Sequence, residues 1–486
     1  MNHAKLTVVY PEQNGTISPE LYGHFVEHIG GVVYDGIWVG KDSDIPNENG
    51  FRKDLLDLLR AVKPAVIRWP GGCFAETYNW RDGIGKNRPV RPAWWTTADH
   101  KYETNAMGTH EFVELCRLVG AKPYIALNVT SMTPLDARDY MDYCLSPQGT
   151  TTLALEREKN GSAQPFDIPY WGIGNENWGG GGNMTAEEYA NTYRRYATVL
   201  KNAFPSAKLI AGGGTYWTYD WVRTFMNHIT QTVASLVPIN GLSFHYYCSG
   251  GDAIAYDQND WDTLIANALK TEEYLIRHWA SVVSHGKQEK IKLYVDEWGC
   301  MHPENGSGPH GRQNPYEQAV TVRDAVVTAI HLNIFNNHCN FVEMANVAQV
   351  CNCLHSLFFT EGKQLVKTPV YHVFDMMKAH QGGTCVKTLP IGDANLSVSS
   401  SVMDGKLTMT MANLSCTEDA EVSLELLGAQ IKNSVATARL LYAQDFHAQN
   451  TFESPFAVTP CDVTVDLTKP VLLPKTAIMT MQFDVQ

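Results

Sequence analysis

The sequence predicts an α/β chain of two domains, a (β/α)8 TIM barrel followed by a C-terminal antiparallel β-sandwich. Three observations predict it. Eight short apolar runs recur at intervals of roughly 35 to 60 residues, helical patterns occupy the gaps between them, and after Gly382-Gly383 the texture changes to alternating apolar and polar residues.

The eight runs are Leu21–His28, Ala65–Gly71, Pro123–Val129, Pro169–Asn175, Lys208–Gly213, Leu242–Tyr247, Lys292–Trp298 and Phe341–Gln349. Most are continuously apolar, as parallel strands covered on both faces must be. The spacing predicts helices over Phe51–Val62, His110–Val119, Thr185–Phe204, Trp221–Val233, Thr263–Val283, Tyr316–Ile334 and Pro369–His380. Thr185-Ala-Glu-Glu188 forms a capping box, and Pro64 and Gly120 stop the helices before them. A barrel accommodates this alternation; an open doubly wound sheet is the other arrangement of it. Beyond the barrel, Asp404-Gly405 joins the alternating runs Leu396–Met403 and Lys406–Met411 as a hairpin, and Val422–Leu427 and Ala477–Phe483 continue in the same style. The expected domains are residues 19–382 for the barrel and 383–486 for the sandwich, with residues 1–18, which hold the run Lys5–Tyr10, adding a strand to the sandwich.

With 38 basic and 51 acidic residues the formal charge is −13, and no basic run stands out, which argues against nucleic acid or an anionic membrane as partner. No stretch approaches the ~20 apolar residues of a membrane span, and the N-terminus lacks a signal-peptide core. The 11 cysteines are odd in number and scattered, with several, such as Cys116 and Cys353, inside helix or strand patterns. That suits free thiols in a reducing, cytoplasmic compartment.

In a barrel the site forms where strands end, so polar residues closing apolar runs are the candidates. Here they are Glu27-His28, Arg68, Asn175-Glu176, His245 with Tyr247, Asp296-Glu297, and Asn346 with Gln349. Glu176 and Glu297 close the fourth and seventh runs. Two carboxyl groups facing each other are what acetal hydrolysis needs, one to protonate the leaving oxygen and one to attack the anomeric carbon. Held ~5 to 5.5 Å apart, they retain configuration. Arg68 is placed to keep Glu297 ionised, or else to pair with Asp296 or Glu27. Tyr247 shares a strand face with His245 and can donate to Glu297. Asn175 can offer its amide to a sugar hydroxyl. Trp69, Trp80, Trp94, Trp95, Trp178 and Trp298 fall in or beside the same loops, where some are expected to stack on sugar and others to pack. Gly179-Gly-Gly-Gly182 lacks the Gly-Lys-Ser/Thr of a nucleotide loop and reads as a turn letting backbone pass close to substrate. Cys351, Cys353 and His355 lack a second ligand pair at zinc-finger spacing, so no metal is expected from them.

Gly23-His-Phe-Val-Glu-His-Ile-Gly30, Arg68-Trp-Pro-Gly-Gly-Cys-Phe74, Tyr78-Asn-Trp-Arg-Asp-Gly-Ile-Gly85, Gly174-Asn-Glu-Asn-Trp178, Val295-Asp-Glu-Trp298, Met344-Ala-Asn-Val-Ala-Gln349 and Thr368-Pro-Val-Tyr-His-Val-Phe374 together resemble glycoside hydrolase family 51, and His447 to Phe452 resembles a segment of that family's sandwich. The resemblance implies an exo-acting, retaining α-L-arabinofuranosidase without cofactor, acting on arabinofuranosyl oligosaccharides derived from arabinan or arabinoxylan. It implies Glu176 as acid/base and Glu297 as nucleophile, with Glu27, Asn175, Tyr247 and Gln349 holding the arabinofuranose ring. It also implies an intracellular homo-oligomer, often a hexamer. The chain departs from the pattern at Cys73, where many members carry Asn, at Gly31, where Arg is frequent, and at Gly180, where a Cys is common. A thiol at Cys73 makes a weaker ring contact than an amide. The catalytic pair alone also fits a retaining endo-glucanase or β-xylosidase on the same scaffold, and a carbohydrate-binding barrel without turnover is the reading from another class.

Overall fold

The computed structural model describes residues 1–95, 101–231, 237–303, 306–311 and 314–486. After strand β1 (Asn2–Thr16), eight parallel strands close a barrel: β2 (Gly23–Phe25), β3 (Val66–Trp69), β4 (Lys122–Leu127), β5 (Tyr170–Ile173), β6 (Lys208–Gly214), β7 (Gly241–Cys248), β8 (Lys292–Cys300) and β9 (Val342–Ala348). Each of the eight predicted runs contains or overlaps one of them. Successive side chains alternate between the barrel interior and the helices outside. Val66, Tyr124, Tyr170, Ile210, Tyr294 and Met344, from six different strands, form an apolar cluster of their own, while Ile67, Trp69, Trp171 and Val295 belong to the larger core shared with the helices. The barrel is thus filled with side chains below and leaves room for chemistry only at its C-terminal mouth.

The helices are α1 (Lys53–Val62), α2 (Thr109–Val119), α3 (Pro134–Leu145), α4 (Thr152–Lys159), α5 (Ala186–Ala203), α6 (Tyr219–Thr230), α7 (Gln258–Val283), α8 (Val322–Asn337) and α9 (Pro369–Met377). Several differ from expectation. Helix α8 begins at Val322 rather than Tyr316, because Thr321 caps it and Asp324 answers from the first turn; the freed segment before it reaches the barrel mouth. Helix α7 starts earlier than expected for the same reason, with Asp257 and Asp260 as its box. Phe51-Arg52 pairs with Asn47-Glu48 in a short hairpin, so α1 starts at Lys53. Helix α6 ends at Thr230, and the expected end at Val233 lies outside the described residues. Helices α3 and α4 follow the third barrel strand, where no helix was expected.

The strands after the barrel domain, β10 (Thr384–Gly392), β11 (Leu396–Met403), β12 (Lys406–Asn413), β13 (Ala420–Leu427), β14 (Val435–Leu441), β15 (Cys461–Asp466), β16 (Val471–Leu473) and β17 (Ile478–Asp484), join β1 in one nine-stranded sheet. Val465 from one edge strand and Val471 and Leu473 from the other lie in one apolar cluster, so the sheet curls into two facing layers. Asp404 and Gly405, both at positive φ, turn β11 into β12, with Met403 facing Lys406. Strand β1 lies between β10, antiparallel, and β13, parallel. Helix α8 is buried along almost its whole length between barrel and sheet, where Asn333 and Asn336 bond Ser397 and Ser399 of β11.

Candidate active site

The site begins with an irregularity in β8. Ser243 of β7 stands opposite Tyr294, but two residues later His245 stands opposite Glu297, so β8 carries one residue more than its partner. Such a bulge re-aims a side chain. Asp296 and Glu297, neighbours that a regular strand would send to opposite faces, here both turn inward, and Trp298 returns to the outer core. Below them Arg68 lies over the rings of Phe25 and Tyr124, its guanidinium 1% exposed at side-chain level. It donates to Glu297 Oε1 at 2.8 Å and to Asn175 Oδ1 at 2.6 Å, with Asp296 3.6 Å away. Tyr247 donates to Glu297 Oε2 at 3.0 Å, and burial together with the nearby carboxylates keeps its phenol protonated. Both oxygens of Glu297 are thereby fixed.

Glu176 stands across the mouth at the start of the loop after β5, with φ of 41°. One oxygen of Glu176, one of Glu297 and a ring nitrogen of His245 all lie within 4.8 Å of one another. His245 Nδ1 is 2.8 Å from Glu176 Oε1 and its Nε2 is 3.1 Å from Asp296 Oδ1. Burial works against charge on this ring, but Glu297, Asp296 and Glu176 outweigh it and raise His245 to about 10. Burial also disfavours charge on Asp296, yet Arg68, His245 and Ser243 hold its carboxyl well below the usual range, and Tyr124 donates to it at 2.7 Å. The two ring nitrogens of His245 are thus turned on two carboxyl groups, Glu176 on one side and Asp296 on the other. With both ring nitrogens so engaged, Glu176, His245 and Glu297 form an acid–base constellation.

A cavity of about 420 Å³ opens over the pair, lined by the sequence-predicted Glu27, Cys73, Asn175, Glu176, His245, Tyr247 and Glu297. Burial first, then the charge of Glu297, push Glu27 up to about 7, although the Trp95 indole and the Phe74 amide both donate to it. Gly72 separates the two acids: a Cβ there would stand 3.0 Å from Glu297 and 3.3 Å from Glu27. Cys73 faces Gly180, whose Cβ would meet its Sγ at 2.8 Å, and burial keeps the thiol protonated. Arg68 and Gln349, also expected here, lie beneath the lining. Gln349 accepts from the Glu27 main-chain N–H at 3.0 Å. Of the tryptophans, Trp95 and Trp178 line the cavity and Trp94 is exposed, whereas Trp69, Trp80 and Trp298 pack inside the fold. His28 and Asn346 are structural, the first bridging Trp69 and Glu103, the second donating to the His24 carbonyl.

Sequence reasoning missed several contributors. Tyr216 and Trp217, in the loop after β6, are exposed at the rim, where Trp217 meets Trp178 edge-on at 5.1 Å. Tyr316 comes from the segment that was expected to be helical. Glu76 is buried and accepts from the N–H groups of Val129, Thr130 and Asn175 and from the Asn177 amide, tying the loops after β3, β4 and β5 together.

Two family models match the chain, the alpha-L-arabinofuranosidase 1 domain over residues 58–237 and the alpha-L-arabinofuranosidase C-terminal domain over residues 296–474. The intracellular exo-alpha-L-arabinofuranosidase of Bacteroides ovatus is 35% identical, over 99% of this chain and 95% of the relative. Among solved structures, the GH51 arabinofuranosidase of Xanthomonas axonopodis pv. citri superposes with a TM-score of 0.91 at 32% identity over 100% of both chains. The thermostable GH51 alpha-L-arabinofuranosidase of Thermotoga petrophila RKU-1 gives 0.86 at 28% identity over 99% of this chain and 100% of its own.

Proposed function

We propose, from the premise that this chain belongs to the α-L-arabinofuranosidases of glycoside hydrolase family 51, that Glu297 is its nucleophile and Glu176 its acid and base. The enzyme is an exo-acting, retaining hydrolase that releases terminal non-reducing α-L-arabinofuranosyl residues from arabinan- and arabinoxylan-derived oligosaccharides. The observation that carries the residue assignment is the approach of the two carboxylates to within 4.8 Å, too close to hold a water between base and sugar as inversion requires. Glu297 attacks the anomeric carbon while Glu176 gives its proton to the departing oxygen, and a β-linked arabinofuranosyl ester forms. Esterification removes the negative charge from Glu297. Glu176, now a carboxylate steadied by the His245 N–H, takes a proton from water, whose oxygen displaces Glu297 and restores the α configuration.

Glu27, Asn175 and Tyr247 bind the ring, Cys73 contacts it weakly, and Gln349 acts by holding Glu27. The full-length arabinofuranosidase relatives speak against a β-xylosidase or an endo-glucanase. The proposal extends to a cytoplasmic homo-oligomer, a hexamer by resemblance, with residues 19–382 and 383–486 as its domains. It draws on the relative named intracellular, on 11 free cysteines, and on the lack of any helix among the described residues long and apolar enough to cross a membrane. Proton NMR of the first arabinose released tests the chemistry: the α anomer should appear first, and β-arabinofuranose appearing first would defeat the assignment. Light scattering tests the assembly.

A further inference from the structure

Behind the cavity wall, on the outer side of β7 and β8, lies a second group of chemically competent side chains that the hydrolysis does not use. Cys248 and Cys300 close the two strands in register, both buried, with their sulfurs 3.9 Å apart. Cys300 Sγ, a carboxylate oxygen of Asp324 and a ring nitrogen of His355 lie within 4.8 Å of one another, and all three residues are fully buried. Each arrives from a different element. Asp324 sits in the first turn of α8, and His355 follows β9. Gly299 lets His355 in, since a Cβ at that position would stand 2.5 Å from the His355 Cβ.

The hydrogen bonds of this group are incomplete in one direction. Asp324 is met by His302 Nε2 at 3.0 Å and by the Thr321 N–H at 2.8 Å, and His355 Nε2 is bound to Thr328 at 2.7 Å. His355 Nδ1, however, is buried with no hydrogen-bond partner and faces Asp324 Oδ1 at 3.8 Å. An unpartnered buried imidazole nitrogen is costly unless something in the interior engages it. Two sulfurs bound to one tetrahedral zinc stand about 3.8 Å apart, given zinc–sulfur bonds of about 2.3 Å. The observed sulfur spacing fits. We propose that Cys300, Asp324 and His355, which already converge, together with Cys248, whose sulfur lies beside that of Cys300, form a buried site for a thiophilic divalent cation of the zinc class. Ligands this deeply buried make it a structural site, one that would fasten the ends of the strands carrying Tyr247 and Glu297 to α8. The spacing of Cys351, Cys353 and His355 did not reveal it, because His355 alone of those three takes part and its partners are dispersed along the chain.

The test uses the full-length protein purified without chelator, and its readout is coordination rather than activity. Elemental analysis should find about one zinc per chain. Cobalt(II) added after metal removal should give the visible bands of tetrahedral sulfur coordination. Those bands should vanish in Cys248→Ser and Cys300→Ser, and persist in Glu176→Gln, which alters the other carboxylate–histidine group, and in Cys461→Ser, whose thiol is on the surface. Should the two variants fail to fold, the wild-type protein decides alone: no sulfur-to-cobalt bands and no zinc retained on equilibrium dialysis overturns the proposal. Bands of equal strength in both cysteine variants overturn it as well.

Discussion

Glu297 has each oxygen held by a different donor, Arg68 on one and Tyr247 on the other, and replacing it removes the oxygen proposed to attack. Glu297→Ala is expected to lower turnover on the order of 10⁴-fold or more on every substrate, activated aryl glycosides included, and a few per cent of residual rate in pure protein would place the nucleophile elsewhere. Glu176→Ala should separate substrates by leaving group. Poor leaving groups need the lost proton and should slow ~10² to 10⁴-fold, good ones far less, and azide should restore turnover of the activated substrate in place of base-assisted water. Equal loss on both classes without azide rescue would remove Glu176 from the role. Glu27 sets a pH dependence. Its folded value of about 7 lies above the ordinary 4.5, so the folded state keeps a proton that the unfolded chain has already lost. Stability conferred by that proton is present in acid, declines as pH rises from 4.5 to about 7, by up to about 3 kcal/mol, and then levels off. Denaturant titration of Glu27→Gln at either end of this window should show a shallower decline than wild type. Parallel declines would mean that Glu27 is ionised in the fold throughout.

At the scale of elements, the run Gly179–Gly182 shows how closely backbone is packed around the acid. A Cβ at Gly181 would stand 1.5 Å from the Asn175 carbonyl oxygen, whereas at Gly179 the nearest atom is 3.8 Å away. Gly181→Ala must push Asn175 and Glu176 aside and is expected to cost at least ~10²-fold in kcat, while Gly179→Ala should stay within about threefold of wild type. Similar rates for the two would show that the loop yields freely. The eight strands were legible because strands covered on both faces are written in unbroken apolar residues, and the meeting of Glu176 and Glu297 at the mouth because each closes such a run. Helix α3 was not, since its buried face is written in Ala137, Tyr140, Met141, Tyr143 and Cys144 rather than in aliphatic residues. The bulge in β8 left only one trace, two consecutive acids at a strand end, and periodicity cannot register an inserted residue. Glu76 is a single acid in a loop whose four donors come from other loops, and no local pattern marks it. Tyr216 and Trp217 lie in plain view in the sequence, but only closure of the barrel brings them to Trp178.

For the whole molecule, the barrel and the curled sheet share more than a linker. Besides α8 between them, the segment after β14 reaches back over the barrel loops, where the Val322 N–H bonds the Ala448 carbonyl and His447 Nε2 meets the Tyr256 carbonyl. The protein should therefore unfold in one calorimetric transition, and two resolved transitions would show the domains to be independent. Removing residues 1–16 should lower the melting temperature of that single transition and promote aggregation, because β10 and β13 lose the strand between them. The place of β1 also has a consequence in time. Lys5 pairs with Ile391 and Ser423, so the strand made before the barrel finds its partners only when nearly all the chain has been synthesised. Until then its unpaired edges are exposed on the nascent chain, and the slow closing of so long a loop is left to the end of folding. A ribosome stalled before β10 would hold a barrel whose leading strand has nowhere to go, and release of the finished chain, rather than formation of the barrel, becomes the event that completes the enzyme.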